Sequence, residues 1–185
     1  MRPSEDYQRT LCCDPPEIHS GMDRMMHKGV GMFSTARSRS RISLARAEDI
    51  HAQAEGLQQL SQHDLNRRLT EFRALFRRQR SASQDKVDQA LALLTETAQR
   101  TLGLRPFPVQ IMGALGLHHN LLVEMATGEG KTLTACLAAA LRGWTGRPCH
   151  IVTVNDYLAQ RDAREMQAFY RMCGISVGCV HSQMA

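Results

Sequence analysis

From Met125 to Thr132 the chain reads MATGEGKT, with two glycines, a lysine and a threonine between an apolar run and an alanine-rich stretch. No other feature constrains the fold as strongly. Gly128 and Gly130 lack a Cβ, so the backbone there can take positive φ and turn its N–H groups inward as a concave nest for phosphate oxygens. A helix opening near Lys131 adds its unpaired N-terminal amides and the positive end of its dipole. Lys131 is then placed to reach the β and γ phosphates, and Thr132 to offer its hydroxyl to Mg²⁺. The full phosphate-loop pattern asks for glycine where Met125 stands, so a plain glycine-rich turn joining strand to helix is the alternative.

The segments around this loop predict an α/β fold. Leu121 to Val123 is a short apolar run that reads as a buried strand entering the loop, and Lys131 to Arg142 reads as an alanine-rich helix. Cys149 to Val154 reads as a second strand. Asp156 reads as a helix cap, Tyr157 to Cys173 as a helix with Met166, Phe169 and Cys173 inward, Gly174 as its stop, and Ile175 to Val180 as a third strand. Strands alternating with helices predict a parallel, doubly wound sheet with its ligand at the carboxyl ends of the strands.

Upstream the pattern is helical. After a first polar helix from Ser43, Ser61 with Asp64 three residues on is a helix-start signal. Leu65, Leu69, Phe72, Leu75 and Phe76 then make one apolar face, with Arg73, Arg77 and Arg80 on the other. A second helix follows Ser83, carrying Val87, Leu91, Leu94, Ala98 and Leu102 on one stripe, and Gly103 stands where it should end. Pro108 suits the first position of a short helix over Val109 to Leu117. Residues 1–45 lack periodicity and contain the basic stretch ARSRSR, so they read as a disordered basic tail.

Charge and cysteines narrow the function classes. The net charge of +5 is uneven, with six arginines between Arg67 and Arg80 against Glu71 alone. Such runs suit anionic partners but are also ordinary solvated faces. The six cysteines include no C-x-x-C pair, so neither a zinc site nor a disulfide framework is readable. No apolar run is long enough to span a bilayer, and the first residues lack the apolar core of a secretory signal.

Three longer blocks carry a family resemblance. LGLRPFPVQ (102–110), EMATGEGKT (124–132) and HIVTVNDYLAQRDA (150–163) are similar to segments of the SecA family, the ATP-driven motors of bacterial preprotein translocation. The third block is the most specific, because helicases with a similar phosphate loop usually carry a P-T-R-E-L type segment there. LQQLSQHDLNRRLTEFRALF (57–76) also looks like the family's helical lead-in, so the resemblance covers roughly residues 48–180.

The resemblance implies a division into the tail (1–45), a helical lead-in (46–103), and the first part of a DEAD-like nucleotide-binding domain, truncated (104–185). The implied fold is an incomplete RecA-like P-loop NTPase parallel sheet preceded by helices. Gln110 matches the glutamine that reads the adenine edge, Leu104 and Phe107 match neighbours that contact the base, and Gly128, Glu129, Gly130, Lys131 and Thr132 match the phosphate-binding segment. ATP and Mg²⁺ are the implied cofactors, with Thr132 on the metal. Met125 matches a methionine the family tolerates. Pro108 departs from the aspartate common there, which removes a charge and a backbone donor beside the adenine site.

Plainer readings stand beside these. Glu129 is expected to be positioned by the loop and not to act as a base, His118-His119 to be an exposed loop pair, and Asp156 and Asp162 to be a helix cap and a surface charge. Hydrolysis needs an acidic residue for Mg²⁺ and water, and no D-E-A-D-like segment occurs before Ala185. The chain is therefore expected to be the N-terminal, ATP-binding portion of a SecA-like motor, unable to cleave ATP alone. The implied partners are a SecY-type channel and unfolded preproteins, with an anionic membrane surface a candidate for the basic tail and nucleic acid not expected. The implied location is cytoplasmic, peripheral at the inner face of the cell membrane. The competing functions are a non-catalytic truncated module docking on translocase or membrane, and a fragment of a nucleic-acid helicase.

Overall fold

A computed structural model of the chain describes Met25 and residues 42–79 and 82–182. The chain divides into two units at Arg41/Ile42, and the helical core belongs to the second. The expectation of a disordered tail falls outside the described residues, except for Met25 and 42–45.

Side-chain caps set the first helices. Ser43 Oγ accepts the Arg46 N–H at 3.2 Å and opens α1 (Leu44–Gly56), which a 3₁₀ turn at Leu57–Gln59 follows. Ser61 Oγ accepts the Asp64 N–H at 3.1 Å and opens α2 (Gln62–Arg78), whose buried residues are Leu65, Leu69 and Phe76. Phe72 and Leu75 pack on the core from its margin.

The helix α3 (Gln84–Leu102) is the centre of the unit. Its residues from Ala90 to Ala98 are all buried, as a helix enclosed on every side requires, and it touches α1, α2 and two later helices. Gly103, at φ 68°, ends it. Pro108 opens α4 (Pro108–His118) at its first position. The helix α5 (Lys131–Trp144) packs on α4 closely enough that a Cβ at Gly113 would come within 2.8 Å of Thr134 Cγ2. Trp144, buried at the end of α5, donates from Nε1 to the Cys173 carbonyl at 2.9 Å and meets the Phe76 ring edge-on at 5.9 Å.

Two local expectations need correcting. The cap of the next helix is Asn155, whose Oδ1 accepts the Leu158 N–H at 2.9 Å; Asp156 is the first helical residue and accepts the Ser182 N–H and hydroxyl instead. The stretch from Tyr157 to Cys173 is not one helix but α6 (Asp156–Glu165) and α7 (Gln167–Met172), interrupted at Met166. The interruption lets Met166, Phe169 and Tyr170 turn onto the core, while α6 has no buried residue.

The larger correction concerns fold class. The described residues form no strand, and the expected parallel sheet is absent among them. Residues 121–123, 149–154 and 175–180 have strand-like composition, but a strand exists only through the N–H and C=O groups of a neighbour. These segments form no ladder with one another and leave apolar side chains uncovered: Leu122 is 100% exposed, Val152 and Val154 90%, and Val180 86%. The apolar surface is buried helix against helix instead. Among the described residues no helix is long and apolar enough to cross a membrane.

Candidate functional site

The stretch Ala126–Lys131 closes on itself before it enters α5. Ala126 donates its N–H to Glu129 Oε2 at 2.9 Å, and Glu129 donates its own N–H back to the Ala126 carbonyl at 3.3 Å. Gly128 and Gly130 take φ 89° and 79°, the left-handed region that lets the backbone amides turn inward. Gly130 caps α5, whose first internal bond runs from the Thr134 N–H to the Gly130 carbonyl. The amides of Lys131, Thr132 and Leu133 therefore have no partner within the helix and face out from its N-terminus.

Gln110 is the buried polar residue that ties this loop to the rest. In the first turn of α4, it accepts the Phe107 N–H on Oε1 at 3.0 Å and donates from Nε2 to the Glu129 carbonyl at 2.7 Å. A Cβ on Gly130 would collide with Gln110 Nε2, so the second glycine is needed for close approach as well as for its φ. Leu104 and Phe107, 50% and 66% exposed, stand on the turn just before Gln110. The structure thus brings Gln110, Glu129 and Gly130 together, with Phe107 joined through its backbone, and leaves the apolar pair facing outward.

Lys131 and Thr132 point along the other side of the loop. Lys131 Nζ donates to the Ala126 carbonyl at 2.9 Å, which curls the ammonium over the loop and leaves two further donors. Thr132 Oγ1 lies 3.5 Å from Asp162 Oδ2, while Arg161 holds Asp162 Oδ1 with Nη2 at 2.7 Å and Nε at 3.0 Å. Both Lys131 and Thr132 line an open cavity of about 1250 Å³, with Arg73, Arg77 and Asp162 also on its wall. The Glu129 carboxylate is engaged by a backbone amide of its own loop, which suits a positioning residue better than a base.

Asp162 is the residue that sequence reasoning undervalues, because on a helix of polar composition it looks like a surface charge. Its side chain is only 19% exposed and is aimed at Thr132. Asp162 lies two turns into α6 and lines the same cavity as Lys131 and Thr132, a placement that no local pattern in the sequence signals. The hydroxyl of Thr132 and the carboxylate of Asp162 are both oxygen donors, the kind Mg²⁺ selects, so the residues present fit such an ion. His118 and His119 are not an exposed loop pair either. His118 ends α4 and His119 caps it, both half-buried, and no cluster of metal-ligating residues occurs among the described residues.

Comparison with known proteins gives this geometry a context. Residues 30–185 match the family model of the SecA DEAD-like domain. The chain is 44% identical over 184 residues to protein translocase subunit SecA 2 of Chlorobium chlorochromatii, covering 100% of this chain and 28% of that protein. It is 47% identical over 139 residues to protein translocase subunit SecA of Treponema pallidum, covering 73% of this chain and 15% of that protein. The chain thus spans less than a third of the length of these relatives.

Proposed function

Since the chain belongs to the SecA family, we propose that it binds ATP with Mg²⁺ at the loop 125–132, as the N-terminal nucleotide-binding portion of a motor that moves preproteins through a SecY-type channel. One observation carries this reading: a loop with positive φ at Gly128 and Gly130 opens α5, and Lys131 and Thr132 lie at that helix's N-terminus.

Each residue has a binding task. The free amides of α5 and the loop receive phosphate oxygens, and Lys131 exchanges its bond to the Ala126 carbonyl for the β and γ phosphates. Glu129 releases the Ala126 amide when a stronger anion arrives at the loop. Gln110 keeps a second amide N–H and a second carbonyl lone pair beside its bonds to the Glu129 carbonyl and the Phe107 N–H, and offers these to the adenine edge, while Leu104 and Phe107 give the ring an apolar surface. Thr132 Oγ1, with Asp162 beside it, would hold Mg²⁺, which would supply charge to neutralise the phosphates. The names of the relatives support a role in protein translocation. We read that role as cytoplasmic, peripheral at the inner face of the cell membrane.

Calorimetric titration of the chain with ATP, with and without Mg²⁺, tests the metal half of the reading. Mg²⁺ should tighten ATP binding in the wild type and lose most of that effect in Thr132→Val. A Mg²⁺ effect of the same size in both proteins would remove Thr132 from the assignment.

A further inference from the structure

Glu96 is a carboxylate in the middle of the central helix α3, with a side chain only 4% exposed. An unpaired charge so buried would be strongly destabilising, and two arginines flank it. Arg100 Nε lies 2.8 Å from Oε1, and Arg105 Nη2 lies 3.0 Å from Oε2. The two tethers go in different directions. Arg100 also donates to the carbonyls of Leu57 and Leu60 at 3.3 and 2.9 Å, which ties down the turn between α1 and α2. Arg105 belongs to the turn between α3 and α4, the turn that carries Leu104 and Phe107.

That turn has no regular structure and leaves α3 through Gly103. Left alone, it would sample many conformations. Three attachments hold it: Arg105 reaches back to Glu96, Pro106 is buried, and the Phe107 N–H is bonded to Gln110. Arg105 Nη1 is buried without a hydrogen-bond partner, so the ion pair with Glu96 is what its guanidinium depends on. The consequence is that Leu104 and Phe107 are held outward on a fixed turn beside Gln110.

We infer that Arg105, anchored by Glu96, is a positioning residue for the base end of the nucleotide site. It pre-orders the Leu104–Phe107 turn so that these apolar side chains meet a purine face without first being immobilised. This inference rests on the ATP-binding reading above and extends it to a residue that touches no ligand. Arg105 itself touches the turn and not the phosphate loop, which is joined to that turn through Gln110.

The test separates base from phosphate. In the full chain, ATP and inorganic tripolyphosphate are each titrated, with Mg²⁺, into the wild type, Arg105→Met, Arg105→Lys and Arg100→Met. Arg105→Met leaves Glu96 paired with Arg100, so the helical core keeps its buried charge compensated. It should weaken ATP about five- to tenfold, the size of one aromatic packing contact, and leave tripolyphosphate unchanged. Arg105→Lys should restore most of the ATP affinity, and Arg100→Met should leave it at the wild-type value. Equal loss for ATP and tripolyphosphate, or no loss for either in Arg105→Met, overturns the positioning role. A wild type that binds neither probe overturns the phosphate-loop reading and this inference with it.

Discussion

His118 shows how a single side chain couples this fold to pH. Its imidazole is half-buried at the end of α4, and burial first, then the nearby charges of His119, Arg46 and Arg142, bring its pKa down from 6.5 to about 4. Between those values the unfolded chain takes up a proton that the folded one refuses, so stability rises with pH across this window. It is full above pH 6.5 and is lost as the pH falls toward 4. Thermal unfolding followed by circular dichroism should therefore show a midpoint that drops over that range. His118→Gln should flatten the drop; an unchanged slope in the variant would assign it elsewhere. Gln110 is marked at this scale by the likeness of LGLRPFPVQ to the family's segment, and its carboxamide is bonded to Glu129 of the loop. Asp162 is not, because its importance comes from folding α6 back toward Thr132, a contact thirty residues long in sequence.

At the scale of elements, the helices follow from their own chemistry. Serine caps, the apolar stripe of α3 and Pro108 at the start of α4 are local signals, and local bonds make those helices. The junction of α2, α5 and α7 is not local. It depends on Trp144, which fills the space between Phe76 and the carbonyl of Cys173. Trp144→Phe should keep most of the apolar filling but leave that buried carbonyl without its donor, at a cost of about 1–3 kcal/mol. Urea unfolding monitored at 222 nm measures it, and equal stabilities would mean the hydrogen bond contributes nothing net. The break at Met166 escapes a sequence reading for the same reason, since the residues turned inward after it are chosen by the core and not by helix periodicity.

For the whole molecule, the glycine-rich turn that opens α5 could be read in the sequence and the lack of strands among the described residues could not, and one physical difference explains both. A glycine-rich turn is a property of a few consecutive residues, so Gly128 and Gly130 take their positive φ from local sequence alone. A sheet is a property of pairs of segments, and the apolar runs at 121–123, 149–154 and 175–180 form no ladder among the described residues. What the fold provides instead is a helical core that presents one loop, one buried glutamine and one helix N-terminus on the same side. The central claim is that this loop binds the phosphates of ATP through Lys131. Calorimetric titration of ATP–Mg²⁺ into the chain and into Lys131→Ala tests it directly: the wild type should bind saturably and the variant at least about tenfold more weakly, the scale of one charge-assisted contact, whereas equal affinities would contradict the assignment.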